Sequence, residues 1–208
     1  MNRTDAFSAL VQAIVSGDVT GATNMLAESP KLVRERAISG ADRQSAKDHF
    51  FDEILHYMYE GDTALHMAAA AYQNEIAIDL IARGADVGAR NRRGAEPLHY
   101  ASDGVPGSRG WNPSAQAATI ATLIDAGADP NSLDKSGVAP MHRAVRTRCA
   151  AAVDALLRGG ADASAGNRNG STPLLLASRN TGRASASSPE ARAQQEEILR
   201  LLYAHGAT

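Results

Sequence analysis

A short motif recurs along this chain at a fixed distance, and that recurrence constrains the fold more than any other feature. Thr63-Ala64-Leu65-His66, Glu96-Pro97-Leu98-His99, Ala139-Pro140-Met141-His142 and Thr172-Pro173-Leu174-Leu175 begin 33, 43 and 33 residues apart. A second motif follows each: Gly84-Ala85-Asp86, Gly127-Ala128-Asp129, Gly160-Ala161-Asp162 and Gly206-Ala207-Thr208. The base period is 33 residues, with 10 extra in the second full unit and 13 extra in the last. A period of this length marks stacked supersecondary units. One such unit cannot bury its own apolar face, so neighbours must stack into a continuous core.

Each unit reads as two short helices. Thr at the cap accepts hydrogen bonds from free backbone donors, and Pro at the first helical position loses no needed N–H. Gly84, Gly127 and Gly160 suit a left-handed C-cap. Gly61, Gly94, Gly137 and Gly170, two residues before each cap, mark a tight turn. Ala139 stands where Thr would cap, at a cost of about 1 kcal/mol. Leu65, Leu98, Met141 and Leu174 are expected in the core, with Ile78, Leu80, Leu123, Leu156, Leu157, Leu201 and Leu202.

These motifs resemble the ankyrin repeat family. The Thr-Pro-Leu-His-x-Ala start, the Ile/Val-x-x-Leu-Leu second helix and the Gly-Ala-Asp ending recur in four copies over residues 57–208. The resemblance implies an all-α ankyrin-repeat α-solenoid of about five helix-turn-helix units, with hairpin loops along one edge. It also implies binding of other proteins rather than catalysis. Residues 1–36 read as a degenerate first unit, with helices to about Ser16 and to Met25-Leu26. If Ser8 is its cap, the next cap falls due at 41 but arrives at Thr63, so 22 residues are inserted. Residues 37–58 then form the inserted segment and 59–208 the four regular units. Little strand is expected beyond the loop hairpins.

Within the insertion, residues 42–59 read as an extra helix. Phe50, Phe51, Ile54, Leu55 and Met58 share one helical face after a capping-box-like Ser45-Ala46-Lys47-Asp48. Four of the nine aromatics fall in positions 50–59, so this element either covers apolar surface or walls a binding groove. Two further insertions, near 103–112 and 179–188, fall between the two helices of their units. Trp111, the only tryptophan, is either a contact residue or a lid over helix ends.

Signals for chemistry are sparse. His66, His99 and His142 recur at one repeat position, and repeats stack about 10 Å apart, too far to share a metal. The family reading makes them structural ties between a helix start and neighbouring loops. Cys149 begins a second helix, where the dipole lowers a thiol pKa, but no nucleophile, Walker or Cys-x-x-Cys motif accompanies it. No catalytic residue, metal or cofactor is expected. An enzyme site assembled by the insertions is the third reading. No apolar run approaches the roughly 18 residues of a membrane span. Ala6–Val15 is a poor signal h-region, containing Ser8 and Gln12, so a cytosolic location is expected.

The net charge is −2, yet residues 83–183 carry 13 Lys+Arg against 8 Asp+Glu, and Arg outnumbers Lys 18 to 3. Family geometry, carried onto these positions, places the hairpin tips at Tyr59/Glu60, Arg92/Arg93, Lys135/Ser136 and Arg168/Asn169. It places Asp103, Arg146 and Arg179 on the first-helix groove. Arg92, Arg93, Lys135, Arg146, Arg168 and Arg179 thus fall on one face, which Arg143 extends, while Glu60, Asp62 and Asp103 supply its acidic groups. With Tyr59 and Trp111 these basic residues form the expected contact set. The expected partner is another protein presenting an acidic segment. A nucleic acid or phospholigand on the same arginines is the alternative. At the C-terminal end Ile198, Leu199, Leu201, Leu202 and Tyr203 match the buried pattern of an internal unit. The expectation there is weak self-association or a further capping helix.

Overall fold

The structure is a computed structural model that describes residues 3–108, 110–179 and 189–208. Its helices pair unit by unit. α1 (Arg3–Ser16) pairs with α2 (Val19–Glu28), α3 (Ala64–Ala70) with α4 (Asn74–Ala82), and α5 (Pro97–Ala101) with α6 (Pro113–Asp125). α7 (Pro140–Thr147) then pairs with α8 (Ala150–Arg158), and α9 (Pro173–Ser178) with α10 (Pro189–Ala204). First helices stack in the order α1, α3, α5, α7, α9, and second helices in the order α2, α4, α6, α8, α10. The result is an all-α solenoid two helices thick.

Local chemistry sets the helix starts. The hydroxyls of Thr63 and Thr172 accept from the N–H of His66 and Leu175, at 3.4 and 3.2 Å. Asn112 caps α6 by accepting from Ser114 and Ala115, with Pro113 next to it. Glu96 is turned to another use: its carboxylate accepts from Ser132 and pairs with Arg90. Between the two helices of a unit the chain passes through a left-handed residue: Gly17, Tyr72 and Arg148 have φ of 75°, 54° and 59°. Tyr72 holds this conformation while its hydroxyl donates to the Asp103 carbonyl.

Every residue of α3 is buried, four of them alanine, so small side chains let first helices approach closely. Leu65, Leu80, Leu98, Met141, Leu123, Leu156, Leu157, Leu201 and Leu202 are core residues, and Leu174 is partly buried against them. Ile78 is a correction: it is 50% exposed, because α4 turns Ile76, Ala77 and Leu80 inward and leaves position 78 on the outer face. α1 begins at Arg3, so Ser8 lies inside the helix rather than at its cap.

The insertion differs from the expected helix. One 3-10 turn, Ala46–His49, leads into an antiparallel pair, β1 (Phe50–Phe51) and β2 (His56–Tyr57), with Phe50 opposite Tyr57 and Phe51 opposite His56. Apolar residues spaced i, i+1, i+4, i+5 suit a tight hairpin as well as a helix. Aromatic side chains favour the strand choice, because they pack across the pair. The Phe50 and Tyr57 rings lie 4.7 Å apart. The hairpin rises from a loop whose stem is paired: Ala37 N–H donates to the Asp62 carbonyl, Gly61 N–H to Ala37, and Ala41 N–H to Met58. Gly40 is required in that stem, since a Cβ there would lie 2.2 Å from the Glu60 nitrogen.

Candidate functional site

The loops between units are stitched edge to edge. Arg92 N–H donates to the Glu60 carbonyl at 2.9 Å, Lys135 N–H to Arg93 at 2.9 Å, and Arg168 N–H to Gly137 at 3.3 Å. Successive tips therefore share one edge, and the side chains of Arg92, Arg93, Lys135 and Arg168 leave it exposed. Arg146 is exposed on α7 and Arg179 just beyond α9. Among the described residues, none of these six cations has a carboxylate within 4.0 Å. Arg92 donates to the Ala41 carbonyl at the foot of the insertion. The Arg93 guanidinium lies over the Tyr59 ring, 4.8 Å from its centroid.

Arg143 does not extend that open face. Its two terminal nitrogens pair with Asp103 and Asp134 at 2.7 and 2.9 Å, and its side chain is only 11% exposed. Burial by itself raises the Asp103 carboxyl, but the Arg143 charge and the His56 contact bring it well below the usual carboxylate range. Asp134 is lowered as well, with Arg143 and the N–H groups of Val138 and Ser136 outweighing burial. Asp62 is a second correction. It is fully buried, and its carboxylate accepts from Tyr59 N–H, the Asn91 amide and the Tyr100 hydroxyl. Burial pushes the Tyr100 hydroxyl well above its ordinary range. Neither Asp62 nor Arg143 is thus presented to a partner, because each is consumed by opposite or polar groups inside the molecule.

The hairpin lies across α5 and builds a cleft. The His56 ring stacks on Tyr100 with centroids 4.5 Å apart, and its Nε2 is 3.9 Å from the Asp103 carboxylate. Between this hairpin and α7 lies a cleft of about 390 Å³, walled by Tyr57 and Tyr59, floored by Tyr100 and Arg143, and rimmed by Arg93 and Arg146. The second insertion meets the first on the far side: Glu53, Ile54, Val105 and Trp111 line a smaller hollow. Trp111 is half-buried there, donating to Gln116, which itself donates to the carbonyls of Ala101 and Asp103. Residues 180–188, the third expected insertion, lie outside the described residues.

The recurring histidines share one geometry. His66, His99 and His142 each accept at Nδ1 from the cap N–H of their own unit, at 3.1, 3.2 and 3.2 Å. Each Nε2 faces a carbonyl of the following loop, Ala95, Val138 and Ser171, at 3.1, 3.1 and 3.2 Å. With Nδ1 accepting, the proton sits on Nε2, and each imidazole ties one helix start to the next unit. Burial lowers all three pKa values, His99 to about 4, so the neutral form holds the tie. Compared with known families, residues 114–208 match a model of three ankyrin repeats, and residues 60–92 match a model of one. Together these cover more than half of the chain. The chain is an ankyrin repeat protein. No curated protein matches it.

In this ankyrin repeat protein the recurring positions were readable from the motif spacing. His56, Tyr57, Asn91 and Tyr100, which shape the cleft, were not singled out as a site. The signal that pointed their way was the aromatic cluster at 50–59. Cys149 is fully buried, and burial pushes its thiol up to about 11, which makes it a poor nucleophile near neutral pH. Among the described residues no helix is long and apolar enough to cross a membrane, and no group of His, Cys, Asp or Glu is placed to hold a metal.

Proposed function

We propose that this ankyrin repeat protein is a non-catalytic adaptor or regulator that binds an acidic segment of another protein along its hairpin tips and first-helix face. The observation that carries this reading is the row of exposed cations, Arg92, Arg93, Lys135, Arg146, Arg168 and Arg179, with no carboxylate partner among the described residues. Of the acidic groups near that face, Asp62, Asp103 and Asp134 are engaged inside, and Glu60 is exposed at the tip beside Arg92. An arginine fork matches a carboxylate in two parallel hydrogen bonds. Ankyrin repeats are in general protein-binding modules, which fits such a surface. The test is to replace Arg92, Arg93, Arg146 and Arg179 together by Glu and measure binding to an array of acidic peptides. Binding is expected to vanish with the fold intact by circular dichroism and only a modest fall in melting temperature, from the lost Arg92 bond to Ala41 and the lost Arg93 contact with Tyr59. Wild-type binding should also weaken as salt rises. Tight binding of random-sequence DNA with a steep salt slope, and no peptide binding, would transfer the arginine face to a nucleic-acid ligand.

A further inference from the structure

We infer that the cleft between the inserted hairpin and α7 is the anchor point of the partner, taking a single carboxylate side chain that lies next to an apolar or aromatic residue. This rests on the protein-binding reading above and names the feature that the partner must carry.

The charge count selects the ligand. Three arginines, Arg93, Arg143 and Arg146, line the cleft against two carboxylates, Asp103 and Asp134. The two terminal nitrogens of Arg143 are spent on both carboxylates, while its buried Nε has no hydrogen-bond partner. Arg93 and Arg146 at the rim have no such partner. Arg93 rests its guanidinium on the Tyr59 ring, an arrangement that satisfies the cation's face and leaves its N–H edge free to donate. A single carboxylate fits that residual charge. A phosphate dianion, or the repeated phosphates of a nucleic acid, would stand close to Asp103 and Asp134 and meet like-charge repulsion.

The walls select the neighbour. Tyr57 is 37% exposed, in tilted contact with Phe50 and Tyr59, and offers an aromatic face to the cleft. Such rings are rigid apolar platforms, the kind enriched where partners anchor. The hairpin that carries Tyr57 is held on the solenoid by the His56 stack on Tyr100 and by the stem pairing at Ala37 and Ala41. The insertion therefore turns a plain repeat groove into a cleft with one aromatic and one cationic side.

The experiment uses the full chain and an array of decapeptides that scans Asp or Glu against every neighbouring residue, with Asn and Gln counterparts. The expected selection is Glu or Asp beside Leu, Ile, Phe or Tyr, with binding lost in the amide counterparts. Arg93→Ala with Arg146→Ala should weaken the selected peptide roughly tenfold to thirtyfold, from two exposed ion pairs. Tyr57→Ala should relax the preference for the apolar neighbour. Lys135→Ala with Arg168→Ala, on the same cationic row but outside the cleft, should weaken the selected peptide by a smaller factor than the cleft pair does. Circular dichroism and melting curves check that each variant folds. If the outer pair matters and the cleft pair does not, the cleft assignment fails while the protein-binding reading stands. If no acidic peptide binds at all, both fail.

Discussion

The groove over the second and third units and the groove over the fourth and fifth grow from the same repeat, yet they end in opposite states. In α3 and α5 every residue is buried, and the inserted hairpin lies against Tyr100. In α7 and α9 the same face leaves Arg146 and Leu175 exposed. The acidic groups follow the covered side: Asp62 sits in a closed network, and Asp103 is held by Arg143. Arg146, Arg168 and Arg179 stay on the open side, while Arg92 and Arg93 flank the insertion, against the Ala41 carbonyl and the Tyr59 ring. The inserted loop thus goes with enclosed carboxylates at Asp62 and Asp103, while exposed cations run along the tips from Arg92 to Arg168.

Arg143 and Arg146 compress that contrast into one turn of α7, and they give the largest expected difference. Arg143→Ala should cost about 3 to 4 kcal/mol in urea unfolding, because it leaves Asp103 and Asp134 without their shared cation. Arg146→Ala should stay within about 0.5 kcal/mol. Equal losses would break the distinction between enclosed and open arginines.

Acid should act on the tied units next. A buried histidine whose folded pKa is depressed contributes its stability above its unfolded pKa of about 6.5 and loses it as pH falls. For His99, held down to about 4 by burial, the loss reaches about 3 kcal/mol by pH 4. His66 and His142 act in the same direction, and the lowered Asp103 and Asp134 extend the decline below pH 4. Urea titrations from pH 7 to pH 4 should show a falling midpoint, and His99→Gln should flatten that fall. A midpoint independent of pH would mean that the ties hold equally well when protonated.

Asp62→Asn should cost about 2 kcal/mol, since an amide cannot accept all the bonds made by Tyr59, Asn91 and Tyr100. Amide hydrogen exchange should quicken first in residues 37–62, whose stem pairs with the carbonyl of Asp62 itself. Uniform quickening across all units would show that the insertion is not separately held. The smallest effect is reserved for Ile78→Lys, within about 0.5 kcal/mol, on the exposed side of α4.

The repeat was legible because stacking imposes it. The cap, the turn glycine and the core leucine must recur wherever a unit meets its neighbour, so Thr63, Gly94 and Leu98 announce themselves by spacing. Ile78 is misread from sequence because Ile76, Ala77, Leu80 and Ile81 crowd the same two turns, and so dense an apolar pattern carries no mark of which side faces inward. The hairpin at 50–57 was misread because short apolar runs satisfy helix and strand spacing alike. Its choice is made by what it can lie against, here Tyr100 and Asp103, which stand more than 40 residues away in sequence.

By itself the sequence determined the repeat and the helical solenoid it stacks into, the histidine ties and the edge of the tip arginines being legible only through the resemblance to ankyrin repeats. Repeat and solenoid follow from local periodicity repeated along one axis, where each unit's environment is a copy of the last. Only the tertiary structure decided which charges remain available. Whether an arginine is free or enclosed depends on which carboxylate reaches it through space. Asp103 reaches Arg143 across 40 residues, while Arg146, one turn further along, has no carboxylate in reach among the described residues.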